Sequence, residues 1–202
     1  MRRLVVVLAA LTAGAISRAP AQSLRLVATI DSTNVPNIRL FNLFEAERWR
    51  NALDQNLPIR LHWRLQLWRS RAGFDSPGPS IEWDVMIRRE PLLEQYRFTE
   101  ESRGRRVTDT SFVTLDELRF YYERGLRVGN ASPATDGNWY YRATVEVRTL
   151  NENDIDRMQR LPGGADPGGG LGATIGRLLM SLGLPSDNLS DETPVFRFRR
   201  RR

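Results

Sequence analysis

Leu57-Pro58-Ile59-Arg60-Leu61-His62-Trp63-Arg64-Leu65-Gln66-Leu67-Trp68-Arg69 alternates apolar and polar residues almost without a break. Ile59, Leu61, Trp63, Leu65 and Leu67 fall on one face of an extended chain, and Arg60, His62, Arg64 and Gln66 on the other. Successive side chains of a strand point to opposite sides, so this period of two predicts a long, half-buried strand. Downstream, Ile81, Trp83, Val85 and Ile87 alternate with Glu82, Asp84, Met86 and Arg88. The Pro/Gly/Ser run Ser76 to Ser80 reads as the turn that joins the two into a hairpin. Asn138 to Leu150 repeats the pattern, setting Trp139, Tyr141, Ala143, Val145 and Val147 against Tyr140, Arg142, Thr144, Glu146 and Arg148.

Shorter elements surround these three. Leu24, Leu26, Ala28 and Ile30 share one face of a first strand, and Ile38 to Phe44 forms a second across a turn at Asp31 to Pro36. Glu45 to Gln55 reads as a short helix. Leu92 to Thr99 and Arg105 to Asp109 are strands around a turn at Gly104. Thr114 opens a helix, because Glu117 three residues later completes a capping box, and Leu115, Leu118, Phe120 and Tyr121 are available to pack inward. Val195 to Arg199, entered through Pro194, is a closing strand.

Many short strands with two small helices and no βαβ rhythm predict a mainly β chain. Each one-faced sheet needs a second layer over it, so the expected architecture is an antiparallel β-sandwich with two or three short helices, with α+β as the alternative. The chain is expected to divide into a secretory signal peptide at 1–21, the sandwich at 22–162, a Gly-rich linker and amphipathic helix at 163–191, and the closing strand and Arg tail at 192–202. Within the insertion, Leu171, Ile175, Leu178, Leu179 and Leu182 share one helical stripe, a candidate docking surface for a partner or for the chain's own sandwich.

Composition narrows the chemistry. The 202 residues contain no Cys and no Lys, and a single His. Thiol nucleophiles, thiolate metal sites, Schiff-base chemistry and the P-loop lysine are therefore excluded. The net charge of +6 is concentrated at the ends. Setting aside Arg2, Arg3, Arg18, Arg197 and Arg199 to Arg202 leaves 22 Arg against 24 acids, interleaved along the body of the chain. That balance does not support a basic groove, and no nucleic-acid partner is expected.

Arg2 and Arg3, the uncharged apolar stretch Leu4 to Ile16, and Ala19-Pro20-Ala21 have the three parts of a secretory leader. Cleavage is expected before Gln22, leaving 181 of the 202 residues. The 13 residues of the apolar stretch are too few to cross a ~30 Å hydrocarbon core. No later stretch reaches the length of a membrane-spanning helix, and the expected location is periplasmic or extracellular.

Several short motifs carry a resemblance: Ala52-Leu53 followed by Leu57-Pro58-Ile59 and the Arg/Trp strand, Trp83-Asp84, Gln95-Tyr96-Arg97, the Phe112 to Leu118 helix opening, and Trp139-Tyr140-Tyr141. Over roughly residues 24–162 plus the Phe196/Phe198 strand, the chain resembles the exported bacterial family known as domain of unknown function 4390. The resemblance implies an envelope-located domain, associated by gene neighbourhood with sensor-kinase systems, and no assigned activity. The insertion at Gly163 to Gly183 departs from the family pattern.

Few residues offer chemistry. His62 lies between Arg60 and Arg64 with no carboxylate beside it in sequence, so it reads as a surface strand residue. Glu82 and Asp84 stand two apart on one strand face, where they could act as an acid–base pair, although cross-strand ion pairing is the simpler use. Asn151, Asn153, Asp154 and Asp156 resemble half a calcium loop, with Ile155 at a ligand position and no Gly. Gly168, Gly170 and Ala173, with Asp191 downstream, match a dinucleotide fingerprint but follow a linker where a buried strand is required. No catalytic, cofactor-binding or metal-ligating residue is therefore assigned and no cofactor expected. The function expected is a non-enzymatic, exported binding or envelope-associated module, linked through the family to envelope signalling. Its alternative is a carboxylate-dependent hydrolase of an envelope polymer using Glu82 and Asp84.

Overall fold

The computed structural model of the protein describes residues 23–127, 132–149 and 186–199. In chain order they form β1 (Arg25–Ile30), β2 (Pro36–Phe41), α1 (Glu47–Asp54), β3 (Ile59–Ser70), β4 (Ser76–Glu90), β5 (Gln95–Ser102), β6 (Arg105–Phe112), α2 (Leu115–Glu123), β7 (Leu126–Arg127), β8 (Gly137–Thr149), β9 (Ser186–Glu192) and β10 (Phe196–Phe198). The chain is mainly β and its strand pairs are antiparallel, as the alternation predicts. A small sheet has the order β1-β2-β7. The large sheet runs β10-β8-β3-β4-β5-β6, with β9 also paired to β8.

The architecture is sandwich-like, with helices completing the second layer. α1 packs on β3 and β4, α2 packs on β2, β5 and β6, and β1 lies over β8 and β9. Beneath this cover Leu61, Trp63 and Leu65 of β3, Val85 and Ile87 of β4, and Ala143 and Val147 of β8 are fully or almost fully buried. Trp63 and Trp83, opposite each other on β3 and β4, stack with ring centroids 5.6 Å apart. Burying each such side chain is worth about 1.5–3 kcal/mol, which is why the three alternating strands dominate the core. The opposite face of the large sheet carries Arg60, His62 and Arg64 of β3 beside Asp84 and Glu82 of β4. No helix among the described residues is long and apolar enough to cross a membrane.

Several element boundaries depart from expectation, each for a local reason. Ser76 to Ser80 is the first part of β4, paired with the end of β3, where the register shifts between Gln66 and Trp68. β5 reaches only as far as Trp83 along β4, so Pro77 and Pro79 lie where β4 has one partner and their missing N–H groups cost no ladder bond on the open side. The reversal comes earlier, where Asp75 Oδ1 accepts from the Arg71 N–H. β2 ends at Phe41 because Asn42 takes a left-handed φ of 65°, and Leu43 and Phe44 enter the core from the loop. Pro91 opens a 3-10 turn, Pro91–Leu93, and Glu94 at φ 50° turns the chain, so β5 begins at Gln95, after the expected start at Leu92.

The capping box at Thr114 and Glu117 forms as expected. Leu118 and Tyr122 are buried on the inward face of α2, Leu115 packs against the core, and the Tyr121 ring meets Phe98 and Phe112 at the margin, whereas Phe120 is 65% exposed. Leu118 and Tyr122 are four apart and share a face, whereas Phe120 is two from each and lies across the helix. The helix reading of 45–55 contracts to Glu47–Asp54, and the closing strand to Phe196–Phe198.

The last residues of the span expected as linker and helix, Ser186 to Asp191, form most of β9. β9 alternates in a polar alphabet. Asp187 pairs with Arg48 of α1, Leu189 joins the core, and Asp191 Oδ2 accepts from the Ala28 N–H of β1 at 2.7 Å. The chain then stays beside β8, because Thr193 exchanges two hydrogen bonds with the Tyr141 backbone, each 2.9 Å. The leader, the Asn151 to Asp156 stretch, Gly168, Gly170 and Ala173 of the fingerprint match, and the stripe Leu171, Ile175, Leu178, Leu179 and Leu182 lie outside the described residues.

Candidate functional site

Alternation places Arg60, His62, Arg64 and Gln66 of β3 on the outer face, and pairing sets them beside Met86, Asp84, Glu82 and Ser80 of β4 and beside Arg148, Glu146, Thr144 and Arg142 of β8. At the centre, Asp84 Oδ1 accepts from Arg60 Nε at 3.0 Å and from Arg60 Nη2 at 2.7 Å. His62 Nδ1 lies 3.0 Å from the same oxygen. His62 is therefore not the isolated surface residue expected from its sequence neighbours; its carboxylate comes from the adjacent strand, in direct register.

Asp84 is held as an anion. Burial pushes its carboxyl up, but the His62 hydrogen bond and the Arg60 charge outweigh burial and leave it below the ordinary carboxylate range. Glu82, two residues along, faces Arg64 directly and pairs with it at 3.5 Å with both side chains about half exposed. The two carboxylates of the hydrolase alternative are thus neighbours on one face, engaged with different Arg residues. A general acid needs a proton held near neutral pH, and Asp84 is shifted the other way. An Asp–His dyad orients an imidazole, and nucleophilic use of it requires a hydroxyl at the far nitrogen. Among the described residues no hydroxyl is hydrogen-bonded to His62 Nε2, and no cluster of three or more His, Asp or Glu could hold a metal.

Two flanking groups complete the face. Arg97 bridges Asp109 and Glu90, and Arg88 and Arg106 join the same network. The Arg97 hydrogen bond lowers the Asp109 carboxyl to about 2 and also draws Glu90 below its ordinary value. On the other side Arg148, directly opposite Arg60, pairs with Glu146. At the far end Trp68 stacks with Tyr140, and the Arg142 guanidinium sits 4.5 Å from the Trp68 ring centre.

The sequence reading missed two features. Arg60 and Arg148 are buried, at 6% and 7% exposure, though both fall on the polar side of the alternation. Glu100 lies on the inner face opposite Val85, where burial pushes its carboxyl up and a hydrogen bond from Thr108 offsets part of that rise. Cross-strand register creates both, and register is not written in either strand alone. A separate open cleft of about 570 Å³, lined by Leu24, Glu47, Trp49, Asp187 and Leu189 among others, lies where α1 meets β9. No family model, curated protein or solved structure matches the chain.

Proposed function

We propose that the chain is an exported, non-enzymatic binding module of the bacterial envelope, with the polar outer face of the large sheet as its working surface. The observation that supports the non-enzymatic part is the state of Asp84, which among the described residues is hydrogen-bonded to His62 and has its charge committed to Arg60. The location rests on the leader pattern of Arg2-Arg3, Leu4 to Ile16 and Ala19-Pro20-Ala21, and on the resemblance of the short motifs to the domain of unknown function 4390. Membership of that family, and its link to envelope signalling, belong to the same proposal.

Expression of the full chain in a bacterium, followed by intact-mass measurement of the exported material, tests the location: a chain beginning at Gln22 is expected, and a membrane-retained chain still carrying Met1 overturns it. Incubation with purified peptidoglycan sacculi tests the rest. No soluble fragments should appear, and release of fragments that disappears in folded Glu82→Gln would establish the hydrolase instead.

A further inference from the structure

Arg148 carries an unmet demand. Its side chain is 8% exposed, and its Nη2 pairs with Glu146 two residues before it on β8. Nε and Nη1 are buried and have no hydrogen-bond partner. A guanidinium offers five N–H donors, and leaving several of them both dry and unpaired is costly. Beside Arg148 in the same cross-strand row lie Arg60 on β3 and Ser186 on β9. Arg60 already spends Nε and Nη2 on Asp84. Its carboxylate cannot also serve Arg148, which lies one strand farther away. Two nearly buried guanidiniums side by side, with unused donors on one and a hydroxyl residue next in the row, form a place where an acceptor is missing.

We propose that this row binds a small oxyanion through the free nitrogens of Arg148, beside the Arg60 guanidinium that Asp84 already compensates. Charge-assisted hydrogen bonds to an oxyanion are the strong class for guanidinium and would satisfy donors that a neutral acceptor meets only in part. The shared chemistry is an anionic oxygen carried on a phosphate or on a carboxylate. Nothing in the proposal depends on export or on the absence of catalysis.

The test measures the thermal midpoint of the full chain in sodium phosphate, sodium acetate and sodium chloride at matched pH and ionic strength. Phosphate also stabilises proteins generally by exclusion from their surface, so the readout is the excess over chloride in the wild type minus that in Arg148→Met. For a Kd of about 1 mM and about 50 mM anion, the excess in the wild type is expected to be larger than that in the variant by roughly 5 °C or more. An excess in phosphate alone assigns a phosphate group, and one in acetate alone a carboxylate. Equal excess in wild type and variant, or none in the wild type, overturns the site. Should Arg148→Met fail to fold, Arg148→Lys keeps the charge while removing Nε and Nη1, and an undiminished excess in that variant overturns it as well.

Discussion

His62 Nδ1 and Arg60 Nε both lie 3.0 Å from a single oxygen of Asp84. One carboxylate on β4 thus compensates a nearly buried guanidinium and orients the chain's only imidazole. Removing it strands the Arg60 charge in a site that is 7% exposed. Asp84→Ala is expected to cost about 3 kcal/mol, because the loss from breaking a buried pair is dominated by the ion left behind. Glu82→Ala should change stability by less than about 0.5 kcal/mol, since its pair with Arg64 is half exposed. Urea denaturation of the two variants decides it, and equal losses would refute the asymmetry.

The outer-face carboxylates also set an acid limit. Asp109 is held at about 2 against an ordinary 3.8, and Glu90 and Asp84 are depressed too. A depressed carboxyl contributes stability that is full above its unfolded value and is lost as pH falls through its folded one. The thermal midpoint should therefore drop between about pH 4 and pH 2, and Asp109→Asn should flatten that limb. Glu100 works in the opposite sense, since burial raises it above its ordinary 4.5. The stability tied to its protonated form is present at low pH and fades as pH rises through the raised value. Glu100→Gln should remove that fade while leaving the acid limb steep. Midpoints measured from pH 2 to pH 7 check both signs.

On α2 the structure separates two residues that composition treats alike. Leu118 is fully buried and Phe120 is 65% exposed. Leu118→Ala is expected to cost about 2–5 kcal/mol through lost burial and the cavity left behind. Phe120→Ala, at an exposed position, should stay within about 0.5 kcal/mol despite the larger side chain removed. Chemical denaturation of both variants tests which face docks, and a larger loss for Phe120 would invert the helix.

The alternation of Ile59 to Leu67, Ile81 to Ile87 and Trp139 to Val147 made the centre of the large sheet legible, because half-buried strands must place apolar residues at a period of two. The capping box was legible because both partners lie within one turn. β9 was not, because Ser186 to Glu192 holds a single large apolar residue, Leu189, and its other inward positions are Asp187 and Asp191. Those aspartates are stabilised by Arg48 and by the Ala28 N–H, partners more than a hundred residues away. The His62–Asp84 contact was hidden for the same reason: twenty-two residues separate the pair in sequence and none in register.

The bond from Ala28 to Asp191 gives the most direct test of β9 as part of the fold. β1 is an end strand of the small sheet, so its outward N–H groups have no strand to receive them. Ala28 is only 4% exposed, and water cannot easily take the place of the Asp191 carboxylate. Asp191→Ala leaves a buried donor unpaired and is expected to cost about 1–3 kcal/mol, or roughly 2–12 °C in the thermal midpoint for a chain of this size. Asp191→Asn keeps a carbonyl acceptor at nearly the same place and should recover much of the loss. Amide hydrogen exchange adds a local readout. The Ala28 amide should lose protection in Asp191→Ala by a larger factor than the Arg39 amide of β2, which faces β1 opposite Val27, since β1 opens from its outer edge before the pairing with β2 gives way. An Ala28 amide as protected in Asp191→Ala as in the wild type would mean that β9 does not hold β1 through this contact, leaving Leu189 packing and the Asp187–Arg48 pair as the contacts that tie β9 to the second layer.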